Sequence, residues 1–355
     1  MTAPAPPRVP RSCAAPLAGR TVLVTGATGF IGQHVVRTLL SGDAIGVRIL
    51  ARSPGRVRDV FGSATEAMDV RLGDLADAVS LDSVCQGVDY VIHSGSAVPY
   101  AFAGDAPPGE FARVNVQGTE NLARSALRAG VRRWVQVSST AAMGTPREVT
   151  VDETTSCRPV SPYQLSKYGS EQALLRLQRE EGLDVAIVRP CLVVGEGKRG
   201  GELLKLFRLC ARGVFPVIGG RLNVEKPLVA VDDVVQTLLL AATQGPGGEI
   251  YLAHSGGGHT LGAILEEAGS LVGKRRPYVS IPLPVARAAA QLGSWGSRLL
   301  GRQLPLTTER LNLYLMDRHI KIEKAREQLG FQPQHSDLRE ILGRTYAYYI
   351  ASKQL

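Results

Sequence analysis

Tyr163 and Lys167 stand four residues apart in Pro162-Tyr-Gln-Leu-Ser-Lys167, at the start of a stretch that reads as a helix to about Glu181. At that spacing two side chains share one helix face. A phenol ordinarily gives up its proton near ~10, but an ammonium one turn away favours the phenolate, so the pair can pass a proton near neutrality. The spacing also arises by chance in many helices, and its meaning depends on what lies beside it. Val131 to Val137 reads as a strand carrying three small hydroxyls, Ser138-Ser139-Thr140, at its carboxyl end. Such residues ordinarily make a turn; next to a phenol they could instead hold a substrate oxygen.

These groups need a frame, and Thr21 to Gly32 supplies its first piece. Val22, Leu23 and Val24 are a continuous apolar run, as in a parallel strand covered on both faces. Gly26, Gly29 and Gly32 follow, with Thr28, Phe30 and Ile31 between them. Glycines there allow a tight turn, close approach of a pyrophosphate and close packing of the next helix, whose free N–H groups attract phosphate. An ordinary strand-turn-helix is the competing reading. Helical spacing over Gly29 to Leu40 and further strands near Val47 to Ala51, Val70 to Leu72, Val88 to His93, Asp184 to Val188 and Glu249 to Leu252 predict an α/β fold, a doubly wound parallel sheet. The second strand ends in Ala51-Arg52-Ser53, followed by Arg56 and Arg58. An acid at that place suits the ribose of NAD and an arginine the 2′-phosphate of NADP, so NADP is favoured over NAD.

The Gly-x-x-Gly-x-x-Gly turn together with Tyr163 and Lys167 resembles the extended branch of the short-chain dehydrogenase/reductase superfamily, the NAD-dependent epimerase/dehydratase group, from about Arg20 to about Tyr349. The resemblance implies a Rossmann sheet over 19–190, completed by about 227–254, and a smaller substrate-binding lobe from 191–226 and 255–355. It implies a catalytic serine or threonine after the fifth strand, and alignment on Met143-Gly144 selects Ser139. Asp74 and Leu75 match the adenine-side segment, although Asp74 could equally cap a helix. His93 stands in a His-x-Ala-Gly-like segment, with packing or orienting as its expected part. Asn115 matches an Asn-Val-x-Gly-Thr segment and is expected to tie its helix to the cofactor-side loops. Arg189 matches the Arg-Pro step at which the chain leaves the cofactor domain, and with His93 and Asn115 it is expected among the cofactor-binding residues. Lys167 would bind the nicotinamide ribose, and Asp232-Asp233 would cap the helix after a strand near Leu228.

Two departures from the nucleotide-sugar members stand out. Lys226-Pro227 replaces their Arg-Asp pair, and Ala141-Ala142 replaces the Asp-Glu pair of the 4,6-dehydratases. The preferred reading is thus an NADP-dependent reductase of a ketone or aldehyde on a small apolar molecule, like sterol-type and dihydroflavonol-type members. A nucleotide-sugar epimerase retaining NAD is the alternative, and a non-catalytic NADP-sensing module a lesser one. Ile281 to Leu306 is apolar with interspersed arginines, including Arg302. It reads either as a lid on the lobe or as a segment that grips a membrane surface.

Composition excludes little but narrows the setting. Charged residues at 21% and hydrophobic ones at 44% are ordinary for a globular chain. The +9 net charge is scattered, with no aromatic-interleaved basic groove, so no nucleic-acid partner is expected. Five cysteines without a Cys-x-x-Cys pair suggest neither disulfides nor a metal site and fit a cytoplasmic setting. Residues 1–18, rich in Pro and Ala, read as a disordered tail. No apolar run is long enough to span a bilayer, and a homodimer is what the resemblance implies.

Overall fold

The computed structural model describes residues 8–99, 107, 109–198, 200–300, 304 and 306–355. Seven strands build the central sheet: β1 Thr21–Thr25, β2 Gly46–Ala51, β3 Met68–Leu72, β4 Tyr90–His93, β5 Arg133–Val137, β6 Val185–Pro190 and β7 Glu249–Ala253. All pair in parallel, in the order β7-β6-β5-β4-β1-β2-β3. The order reverses between β1 and β4, which opens a crevice at their carboxyl ends.

Helices cover both faces of the sheet, among them α1 Phe30–Leu40, α2 Gly118–Arg128, α3 Pro162–Glu181 and α4 Val231–Thr243. Successive strand residues point to opposite faces, and the burial follows that rule. Val22 and Val24 join an apolar layer with Leu39 of α1 and Leu238 of α4. Leu23 joins the other, with Leu122 of α2 and Leu174 of α3. Both faces are apolar because both are covered, which gives the doubly wound Rossmann architecture.

A third apolar cluster holds the smaller lobe together. Phe207 from the helix Glu202–Arg212, Leu265 from Leu261–Leu271 and Tyr349 from Leu338–Ala351 meet there. Helix α5, Leu283–Leu300, adds a fourth cluster in which Ala286 and Ala290 meet Leu311 of the helix Thr308–Leu315. Among the described residues no helix is long and apolar enough to cross a membrane.

Two sequence expectations are corrected. Residues 8–18 are not a disordered tail: Arg11–Ala14 is helical, and Cys13, Ala14 and Leu17 are buried in the layer that holds α4. The Arg8 N–H donates to Asp232 and its guanidinium pairs with Glu340 at 3.0 Å. Residues 1–7 and Arg302 lie outside the described residues. Nor do the aspartates cap α4, which has no side-chain cap. Asp233 accepts instead from Ser255 Oγ and the Gln334 N–H, and Asp232 pairs with Arg344 at 3.0 Å. Both carboxylates sit in the first turn of the helix, where its dipole favours them, while their hydrogen bonds tie down the C-terminal segment.

Candidate active site

The crevice continues into a cleft of about 2260 Å³, well above the volume that a single drug-sized ligand fills. One end is built by the glycine turn. Gly26 has φ +62°, and a Cβ there would meet the Ser94–Gly95 backbone at 2.7 Å. A Cβ on Gly32 would sit 2.2 Å from the Gly26 carbonyl. Helix α1 therefore starts hard against the strand, and Gly29 at its N-cap offers no side-chain cap to the first N–H groups. That cradle fits a dinucleotide pyrophosphate. Thr28, Gly29, Phe30 and Ile31 line it, and Arg52, Asp74 and Leu75 line the cleft just past the carboxyl ends of β2 and β3. Asp74 Oδ1 accepts from the Ala76 N–H at 2.9 Å, so one carboxylate oxygen serves the local turn.

The other end is built by α3 and the end of β5. Pro162 opens α3 behind a capping box in which Ser161 and Gln164 satisfy each other's backbone N–H groups. This fixes the first turn, and with it Tyr163, whose ring stacks edge-on to Phe111 at 5.7 Å. Lys167 is one turn further and buried. Its Nζ donates to the Val137 carbonyl at 3.2 Å and to Ser96 Oγ at 3.3 Å. Burial pulls its pKa down to about 8, opposed by the charge of Glu171.

The three hydroxyls after β5 all border the cleft with Tyr163 and Lys167. The Ser138 Oγ is committed to Glu171, to which it donates at 2.5 Å. The Ser139 Oγ accepts from the Ala141 N–H at 3.1 Å, which leaves its own proton to donate.

Three expected cofactor residues lie behind the cleft wall. Arg189 does not line the cleft: its guanidinium grips Glu171 at 2.9 and 2.6 Å, with Glu171 wholly buried. This corrects its assignment as a cofactor contact, because an inward-facing residue of β6 meets α3, not the crevice. His93 likewise makes no part of the cleft lining and packs inside the wall. Thr119 Oγ1 gives its proton to the Asn115 carbonyl, so His93 Nε2–H donates to Thr119 and Nδ1 accepts from Thr25. Burial, with help from Lys167, lowers the His93 pKa to about 3, so the ring is neutral. Asn115 acts as a tie: its Oδ1 accepts from the Ala97 N–H and its Nδ2 donates to the Ala97 carbonyl and to Ser166 Oγ. It sits in a π-helical stretch, Ala112–Gln117, where the sequence suggested a continuous α-helix.

Sequence reasoning missed Glu171 and Lys198. Glu171 falls four residues after Lys167 and eight after Tyr163, so helical periodicity alone could have placed it on their face. Lys198, buried in the cleft wall with its Nζ 5.6 Å from the centre of the Phe30 ring, follows a loop pattern with no marker in the sequence.

The chain is 33% identical over 326 residues to sterol demethylase protein B of Methylococcus capsulatus, covering 88% of this chain and 94% of that one. It is 32% identical over 313 residues to a 4-hydroxy-2-methyl-3-oxo-4-farnesyl-3,4-dihydroquinoline-1-oxide ketoreductase of Stigmatella aurantiaca, covering 87% and 90%. The crystal structure of DesIV, a dTDP-glucose 4,6-dehydratase from Streptomyces venezuelae with NAD bound, superposes with a TM-score of 0.72 at 27% identity, covering 94% and 98%. Residues 22–253 match the model of the NAD dependent epimerase/dehydratase family, and with the extended short-chain dehydrogenase/reductase fold around them the chain belongs to that family of nicotinamide-dependent enzymes.

Proposed function

We propose that this protein is an NADP-dependent oxidoreductase that interconverts a ketone or aldehyde and its alcohol on a small, largely apolar molecule. The observation that carries the reading is that Ser139, Tyr163 and Lys167 line one cleft with the glycine cradle, to which the smaller lobe adds Leu206, Phe215, Leu228 and Ile264. A bound nicotinamide supplies or takes the hydride. In reduction Tyr163 gives its phenolic proton to the carbonyl oxygen and in oxidation takes it back. Ser139 donates a hydrogen bond to that oxygen as negative charge grows on it. Lys167, anchored by Val137 and Ser96, keeps a positive charge one turn from the phenol and favours its ionised form. A cytoplasmic setting accords with cysteines that are all free.

NADP is preferred because Arg52, Arg56 and Arg58 line the adenosine end, where a 2′-phosphate would add charge. Asp59 lines the same end, one residue past Arg58. A nucleotide-sugar epimerase is the second reading, favoured by the cations Lys226 and Arg318 in the cleft wall. Against it, Lys226 Nζ is held by the carbonyls of Tyr314 and Met316 at 2.6 and 3.0 Å. The test is to denature fresh protein, assay the released nucleotide, and screen apolar ketones and nucleotide sugars with both nicotinamides. NADPH-dependent ketone reduction supports the reductase; tightly held NAD with sugar-nucleotide epimerisation would replace it.

A further inference from the structure

Among the described residues, the side of α5 turned away from the lobe carries a row of exposed apolar side chains. Val285 is 57% exposed, Leu292 70%, Trp295 64% and Leu299 67%. Ala288 and Ala289 are exposed between them. At 100° per residue these positions fall within an arc of about 120°, the width of an amphipathic helix's apolar face. The helix already buries its other side: Ala286 and Ala290 pack on Leu311, and a Cβ on Gly293 would strike the Leu306 carbonyl. It therefore carries two apolar faces, and only one is needed by the fold. A continuous patch of this kind marks a binding surface.

Charge identifies the occupant. From residue 268 to residue 308 the sequence has no Asp or Glu, whereas Lys274, Arg275, Arg276, Arg287, Arg298 and Arg302 are all basic. Arg287 is exposed on the flank of the helix, about 80° round from the nearest edge of the apolar stripe. A second copy docked face to face would bring two such segments together, like charge against like. An anionic bilayer is complementary to both features, since basic groups meet the headgroups while the apolar face enters the acyl boundary.

We propose that α5 is an interfacial anchor that seats the protein on anionic membrane surfaces. The helix Thr308–Leu315, whose Arg310 and Tyr314 line the cleft, packs directly on the buried side of α5 through Leu311. Docking thus holds the cleft wall one helix layer from the bilayer. Nothing in this depends on which reaction the cleft performs.

The chain has two tryptophans, and they make the test direct. Trp134 is wholly buried, so a vesicle-induced change in emission reports Trp295. Full-length protein is mixed with phosphatidylcholine vesicles with and without about a third phosphatidylglycerol, at low and high salt. The expected result is co-sedimentation with the anionic vesicles, a blue shift of emission, and loss of binding at high salt. Leu292→Asp with Leu299→Asp should weaken binding at least ~10-fold with the unfolding transition unchanged, and Trp295→Phe should remove the emission shift yet keep most of the binding. Absence of sedimentation with either vesicle overturns the proposal. So does an emission shift that rises with protein concentration without lipid and disappears in the aspartate variant, which would assign the face to a second copy.

Discussion

Two successive turns of α3 bury opposite charges and treat them differently. At Glu171 the carboxylate is fully matched, by two guanidinium bonds from Arg189 and one hydroxyl bond from Ser138. At Lys167 the ammonium donates, among the described residues, to a carbonyl and a hydroxyl, and burial pulls its pKa down to about 8 against the more distant charge of Glu171. The neutralised charge lies behind the cleft wall and joins α3 to β6. The incompletely matched one lines the cleft. Burying a charge without a counter-ion is costly, so a fold that keeps one at a cleft is placing an electrostatic field there, whereas the pair behind it is support.

The first way to break this contrast is Glu171→Ala. It leaves Arg189 charged and unpaired in the core, and the expected loss is about 3–5 kcal/mol of stability, read by urea unfolding at pH 7. Lys167→Met should go the other way, leaving the protein at least as stable at pH 7 while abolishing turnover. The sign follows from linkage: the folded pKa of about 8 lies below the ordinary value of 10.5, so between those pH values the unfolded chain holds a proton that the folded one has released, and stability rises with pH across that window. Lys167→Met should flatten that rise. A large loss of stability in this variant would show that Lys167 is structural after all.

A smaller effect is expected at the far end of the cleft. Arg52 lines the cleft just past the end of β2, and on the proposed NADP reading Arg52→Ser should weaken NADPH binding by about 1.5–3 kcal/mol, tenfold or more, with NADH little affected. Equal weakening of both would place the arginine on something other than the 2′-phosphate.

Much of this was legible in the chain because the signals are local. The apolar run Val22 to Val24, the glycines after it and the tyrosine-lysine spacing each concern residues within one or two turns of each other. The long-range partnerships were not legible. Arg189 meets Glu171 across the interface of strand and helix, Arg8 meets Asp232 224 residues away, and Asp233 holds a segment one hundred residues on. Sequence gives the residue types but not which of several partners closes each pair. The π-helical stretch around Asn115 was not legible either: the Asn115 amide is bonded to Ala97 and Ser166, 18 and 51 residues away, and local propensity does not express such partners.

The central claim is that Tyr163 is the proton donor of the reaction, and Tyr163→Phe tests it with the loss of one oxygen. The expected result is a fall in turnover of about 10²- to 10⁴-fold, with NADPH affinity and thermal stability unchanged, because the phenylalanine keeps the ring stacked on Phe111. Retention of more than about a tenth of wild-type turnover would contradict it, since no proton donor could then be missing.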